Sequence, residues 1–262
     1  MHVNPVLRHA LAVLLAACSM LAFAQPQKAP AAYEPSVGQE GKDVVWVPTS
    51  QTLVNKMLDM ARVTPRDFVI DLGSGDGRTV ITAAKRGARA LGIEYNPDMV
   101  TLSQKNAQME GVTARATFMK ADLFETDLSR ATVITMFLLP EINMKLRPKI
   151  LRLKPGTRVV SNTFTMGDWT ADETATLGEA AGCTASWCTA LLWIVPADVA
   201  GNYTTTQGEL ALKQEFQKLS GTLRTEGTTY AIEGRVRGEE VSLKAGGREY
   251  RGRLNGGTMD LR

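Results

Sequence analysis

The stretch Val69-Ile70-Asp71-Leu72-Gly73-Ser74-Gly75-Asp76-Gly77-Arg78 concentrates the chemistry of this chain. An apolar run ends in a carboxylate and is followed by three alternate glycines. Glycine lets the backbone turn tightly and come close to a ligand that a Cβ would hold off. A helix beginning near Arg78 would aim its free N–H groups at the same point. A dinucleotide site carries the spacing G-x-G-x-x-G. Here the spacing is G-x-G-x-G, Arg78 stands where the last glycine would fall, and no Gly-Lys-Ser/Thr follows, which excludes a P-loop. A nucleotide-dependent oxidoreductase is disfavoured for the same reason. Asp71 and Asp76 would repel a pyrophosphate and suit a cation, such as a ligand with an amino group and a sulfonium. Ser74 and Gly77 complete the loop.

Glu94 lies 23 residues after Asp71, at the end of a second apolar run. A carboxylate at that distance is placed to accept hydrogen bonds from two ribose hydroxyls, and Asn96 stands beside it. Asp122-Leu123-Phe124 closes a third apolar run. A carboxylate there reaches an adenine amino group, and Leu123 or Phe124 packs on the ring.

These motifs need a scaffold, and the pattern supplies one. Thr49 or Ser50 caps a helix through Leu53, Met57, Leu58 and Ala61. Strands are predicted at 68–72, 90–94, 116–123, 131–139 and 158–161. Helices are predicted at 78–86, from Pro97 to Met109, and from Pro140 towards Leu153. Alternating helices and continuously apolar strands imply an α/β fold, a Rossmann-like doubly wound and mostly parallel sheet. Such a sheet binds ligands at the carboxyl ends of its strands. After Pro196, alternation and glycine replace the helical period. Three similar segments, 219–223, 232–236 and 250–254, read as apolar–x–Gly–x–apolar, and the last two continue to turn glycines at Gly238 and Gly256. Residues 198–262 are therefore expected to form a small C-terminal antiparallel β appendage, and 43–197 the main domain.

The loop, Glu94 and the Asp122 triplet resemble the motifs of class I S-adenosylmethionine-dependent methyltransferases. The string Asp-Leu-Gly-Ser-Gly-Asp-Gly-Arg, the upstream Val47-Pro48-Thr49 and the downstream Gly167-Asp168-Trp169 narrow the likeness. Together they resemble the ATP synthase c-subunit lysine methyltransferases and their bacterial relatives, over roughly residues 43–170. The resemblance implies S-adenosylmethionine as cofactor, with Asp71, Gly73, Gly75 and Glu94 as contacts, and methyl transfer to an amine nitrogen such as a protein lysine. The bacterial pattern carries His-Asp after the strand-five serine, where this chain has Asn162-Thr163. The Asn-Pro-Pro-Tyr/Phe signature of adenine-N6 and glutamine methyltransferases is replaced by Leu138-Leu139-Pro140-Glu141-Ile142-Asn143. A sulfonium is already an activated donor, so the protein must chiefly align a nucleophile and strip water. Glu141, Asn143 and Asp168 are the candidates to accept a proton or position an amine, and Trp169 either lines the acceptor pocket or packs in the core.

The 262 residues, 44% hydrophobic and 22% charged, are ordinary for a globular protein. A net charge of +3, evenly spread, gives no argument for a nucleic-acid partner. Residues 1–24 carry Arg8 and His9, then an uncharged apolar run ending in Ala22-Phe23-Ala24, the pattern of an export signal. Leu15-Ala16-Ala17-Cys18 also resembles a lipobox. The expectation is an exported, periplasmic or lipoprotein-anchored protein; the alternative is a membrane anchor with the domain in the cytoplasm. Residues 25–42 read as a linker. Both histidines, His2 and His9, fall in the signal, so a mature chain lacks the residue for a Ser-His-Asp triad or a histidine zinc site. No metal is expected. Cys183 and Cys188 fit either a small loop bridge or two buried thiols. If export removes the enzyme from its donor, a non-catalytic binding module that keeps the fold is the competing function.

Overall fold

The computed structural model of the protein describes residues 33–184 and 186–262. The signal and lipobox readings, and linker positions 25–32, lie outside the described residues. The first helix, α1 (Gln51–Met60), starts at Ser50, whose hydroxyl accepts from the Leu53 amide. Five strands then run parallel: β1 (Phe68–Leu72), β2 (Arg89–Glu94), β3 (Ala116–Lys120), β4 (Val133–Met136) and β5 (Arg158–Asn162). They are joined through α2 (Arg78–Lys85), α3 (Pro97–Met109) and α4 (Pro140–Ile150). Successive residues of a strand face opposite sides of the sheet. Val69, Val133 and Val160 pack with α1, α2 and α3 on one side, and Ile70, Ile134 and Val159 pack with α4 on the other. Both faces are thus covered, and this is why the strands read as unbroken apolar runs.

Two strands were not predicted. β6 (Glu173–Thr176) and β7 (Thr189–Ile194) finish the sheet, with β7 antiparallel to both β5 and β6, in the order β3-β2-β1-β4-β5-β7-β6. β3 and β4 are shorter than predicted. The chain leaves β3 before Asp122, whose carboxylate turns back to accept from the Phe124 amide at 2.8 Å. The strand order reverses between β1 and β4, so the carboxyl ends of these strands form the crevice in which such sheets bind ligands.

The second sheet is an antiparallel meander: β8 (Gly201–Thr205), β9 (Gly208–Glu215), β10 (Lys218–Thr225), β11 (Thr228–Arg237), β12 (Glu240–Ala245), β13 (Arg248–Asn255) and β14 (Thr258–Leu261). It curls around its own core of Leu210, Leu219, Val236 and Leu243, among others. The Thr206 hydroxyl donates to the Leu261 carbonyl at 3.2 Å, drawing the two edges together. The repeated Gly221, Gly234 and Gly252 sit within strands. At Gly221 a Cβ would overlap the Ala211 carbonyl of the next strand, so glycine permits the tight curl. The meander is tied to the first sheet by Phe216, which stacks on Trp169 with ring centroids 6.1 Å apart, and by the Gln217 amide, which donates to the Thr170 carbonyl at 2.5 Å.

Within the segment read as a linker, residues 36–42 lie against the chain that follows them. The Gly38 amide donates to the Trp46 carbonyl at 2.8 Å and the Trp46 amide to the Gln39 carbonyl at 2.9 Å. The segment folds back on itself as a strap.

At the opposite ends of the strands, Asp67 clamps three elements. Its carboxylate accepts from the Thr64 amide (2.7 Å) and the Thr132 hydroxyl (2.7 Å), and pairs with Arg158, which also donates to the Ala61 carbonyl at 2.8 Å. Burial pushes this carboxyl up, but the hydrogen bonds of Thr132, the Thr64 amide and Arg158 outweigh it and hold it below the usual range. Asp67→Ala leaves a half-buried guanidinium without its partner, and should cost about 3 kcal/mol in urea unfolding at neutral pH. A carboxyl with a depressed folded value stabilises fully above its unfolded value and loses that contribution as pH falls. The gap between wild type and variant should therefore shrink on acidification below about pH 4. A gap independent of pH would contradict this.

Candidate functional site

The carboxyl ends of β1, β2 and β4 open into one cleft. The loop after β1 is fixed chiefly through its backbone, with the Glu94 carboxylate accepting from the Gly75 amide at 3.0 Å. The Gly73 and Ser74 amides both donate to the Ile93 carbonyl, at 2.9 and 3.0 Å, and the Gly77 amide donates to the Ser74 carbonyl at 2.9 Å. Gly75 has φ +53, and a Cβ there would stand 2.5 Å from the Trp46 indole nitrogen. The loop therefore meets the strap through the absence of a side chain. Gly77, in the left-handed region with φ 84, begins α2 and packs under Phe118 instead of facing the cleft. The other nine predicted cofactor residues line it: Asp71, Gly73, Ser74, Gly75 and Asp76 from the loop, Glu94 and Asn96 after β2, and Asp122 and Leu123 after β3.

The carboxylates of the cleft differ in their state. Asp71 is buried and accepts from the Thr135 hydroxyl at 2.6 Å. Burial raises its pKa to about 7, against the opposing bond from Thr135, and the nearby Asp76 and Glu94 charges add to the rise. Asp76 pairs with Arg78, whose guanidinium reaches it at 2.6 Å and also donates to the Thr49 carbonyl at 2.8 Å. Glu94 is oriented by two amides, Gly75 at 3.0 Å on one oxygen and Asn96 at 2.9 Å on the other. Each oxygen keeps a further lone pair for a hydroxyl. Asn96 itself caps α3, accepting from the Asp98 amide at 2.9 Å.

Asp122, read as reaching an adenine amino group, already has two partners in the strap and its own turn. Its carboxylate is held by the Lys42 ammonium, which draws its pKa below the usual range, and by the Phe124 amide. Lys42 belongs to the strap and also sits over the Tyr95 ring, 5.0 Å from its centroid. The strap thus closes the cleft at two points, Trp46 over the glycine loop and Lys42 on Asp122.

The three catalytic candidates are not brought to the cleft. Glu141 is exposed on the first turn of α4, where a carboxylate favours the helix dipole. Asn143 is fully buried and donates to the Phe164 and Thr165 carbonyls at 3.2 and 3.1 Å, fixing the loop after β5. Asp168 is exposed and pairs with Arg147, whose hydrogen bond lowers its pKa. Trp169, for which both an acceptor pocket and core packing were open, is fully buried between Trp193 and Phe216. At Asn162-Thr163 the buried Asn162 amide donates to the Thr49 hydroxyl at 3.2 Å, joining the end of β5 to the segment before α1.

Sequence reasoning missed the strap, Thr135, and a set of aromatic rings. Phe137, just past β4, lies 5.9 Å from Phe164 and 6.1 Å from Trp187 between centroids. Cys183 and Cys188 are joined in a disulfide that closes the loop carrying Trp187. For the strap, the apolar run Val44-Val45-Trp46-Val47 was the available signal.

Comparison with known proteins places this cleft among enzymes. A family model described as the ANTKMT methyltransferase domain matches residues 71–173. A protein-lysine N-methyltransferase of Saccharolobus islandicus (strain REY15A) is 47% identical over 133 residues, covering 50% of this chain and 83% of that protein. The ATP synthase c-subunit lysine N-methyltransferase of Homo sapiens is 36% identical over 128 residues, 48% of this chain and 54% of that protein. The chain thus spans little more than half the length of that animal relative. Among solved structures, one titled as an RNA methyltransferase from Salinibacter ruber in complex with S-adenosyl-L-homocysteine is 46% identical. It covers 58% of this chain and 96% of its own, with a TM-score of 0.54.

The cleft fits S-adenosylmethionine. Asp71 is a buried carboxylate whose described neighbours include no paired cation, Glu94 is pre-aimed, and the Ser74 hydroxyl is buried without a hydrogen-bond partner among the described residues. Asp71→Asn should weaken S-adenosylhomocysteine binding at least about tenfold, read by calorimetry. The same variant should gain stability in the ligand-free state. An acid whose folded pKa is raised costs stability as pH climbs from its unfolded value of 3.8 to about 7. Its removal should raise the melting temperature at pH 8 but not at pH 4. A variant less stable than wild type at pH 8 would contradict the burial argument.

Proposed function

The chain belongs to the class I S-adenosylmethionine-dependent methyltransferases, in the family of the Saccharolobus islandicus protein-lysine N-methyltransferase, and from that premise we propose that it methylates the side-chain nitrogen of a protein lysine. The observation that carries the reading is the pair Asp71 and Glu94, on adjacent strand ends and facing one cleft beneath the strap. The cofactor, when bound, supplies a methyl group activated on a sulfonium. Asp71 holds a cationic group, Glu94 accepts from hydroxyls, and Met136, Leu138 and Ile142 give the cleft an apolar wall that excludes water. The relatives are catalysts by name, and the non-catalytic reading finds no support among them.

Similarity to the Salinibacter ruber RNA methyltransferase raises RNA as an acceptor. The charges at the mouth of the cleft favour an amine. Glu40, Asp43 and Asp122 are gathered there, and Lys42 is taken up by Asp122. A phosphate backbone would need free cations at that place.

The test is incubation of the full chain with methyl-labelled S-adenosylmethionine and, separately, total protein and total RNA of the source cells. Label should appear in protein, as methyl-lysine after acid hydrolysis, and Glu94→Ala should lower kcat/KM at least about tenfold through lost ribose hydrogen bonds. Label in RNA alone would overturn the lysine reading.

We propose further that residues 1–24 direct export or membrane attachment, on the strength of their uncharged apolar run and Ala22-Phe23-Ala24. Residues 1–30 fused to a reporter active only outside the cytoplasm should yield activity. A silent, stably expressed fusion would return the domain to the cytoplasm.

A further inference from the structure

A second cavity opens beside the cofactor cleft. The two share Phe137, Val47 and the strap residues 40–45, and beyond these the second is lined by Leu139, Phe164 and Trp187. The three rings are mutually packed, with Phe164 and Trp187 centroids 5.4 Å apart. They come from three separate places in the chain. Phe137 follows directly on β4. Phe164 is aimed by a tight turn in which its amide donates to the Asn162 carbonyl at 2.7 Å while Thr163 takes φ 61. That conformation is rare for a β-branched residue and strained. Trp187 is held by the Cys183–Cys188 disulfide, whose two cysteines are buried while the indole is 38% exposed. An exposed tryptophan anchored by a buried cross-link, with two more rings behind it, has no evident role in the core.

We propose that Phe137, Phe164 and Trp187 form the acceptor subsite, an aromatic wall that takes the stem and cationic head of an alkylammonium side chain. This subsite rests on lysine being the acceptor, and is what would select it. Ring faces attract ammonium and methylammonium groups, and the butyl stem packs on apolar surface. Glu40 and Asp43 line the opposite, strap side of the same cavity, so its electrostatics match a cation from both sides. Continuity with the cofactor cleft through Phe137 lets a side chain of that length lie on the rings and end at the donor. Cys183 and Cys188 are positioning residues, acting through Trp187.

The full chain, saturated with S-adenosylhomocysteine, is titrated by ligand-observed NMR with Nα-acetyl-lysine methylamide and with its uncharged analogue Nα-acetyl-norleucine methylamide. The wild type should bind the lysine probe at least about tenfold more tightly, and Trp187→Ala or Phe164→Ala should weaken that probe by about tenfold. Trp187→Phe should retain most of the affinity. Cys188→Ser should weaken the lysine probe in the same direction as Trp187→Ala. S-adenosylhomocysteine affinity should stay unchanged in all four, since neither Phe164 nor Trp187 lines the cofactor cleft. If the wild type prefers lysine and the ring variants bind it equally well, the aromatic subsite is overturned and the lysine reading stands. If the wild type shows no preference for the charged probe, both fall together.

Discussion

A buried carboxylate without a paired cation is expensive, and among the described residues Asp71 is one. The fold drives it into the junction of β1, β4 and α2, gives it the hydroxyls of Thr135 and Thr79 but no cation, and places Asp76 and Glu94 within reach. Its proton is held to about pH 7 as a result. Folding alone gains nothing from this arrangement, because an asparagine would satisfy Thr135 without the charge. The arrangement makes sense as a site whose missing partner is a positively charged ligand.

The rest of the cleft is organised around that partner. The parallel strands bring Asp71 and Glu94 to neighbouring ends, with Asp71 paired to Gly92, two residues before Glu94. The glycine loop contributes surface without side chains, and Glu94 fixes the loop by accepting from Gly75. The strap, held by Lys42 on Asp122, closes over the top. Met136, Leu138 and Ile142 give this charged cleft one apolar wall.

How much of this was legible in the sequence follows from the range of each interaction. The loop from Asp71 to Gly77 is local, so its residue types declared their use directly. Glu94 was legible because the length of one strand–helix–strand unit fixes its distance from Asp71. The apolar runs declared the parallel strands, since both faces are buried. β6 and β7 escaped because they form an antiparallel edge hairpin, with half of β6 facing solvent. The strap escaped because Pro, Gly and charged residues read as a linker, while its order comes from contacts with Gly75 and Asp122. Glu141, Asn143 and Asp168 were chosen by residue type, and tertiary packing gave them a helix terminus, a buried clamp and a surface pair. The aromatic wall joins positions 137, 164 and 187, which nothing local connects.

Everything in the cleft turns on the ionisation of Asp71 when the ammonium group of a ligand arrives. Calorimetric titration of the full chain with S-adenosylhomocysteine, at pH 6 in buffers of different ionisation enthalpy, counts the protons released. Release of about one proton is expected at pH 6, falling towards zero by pH 8.5 and absent in Asp71→Asn. Tight binding with no proton released at pH 6 would contradict it.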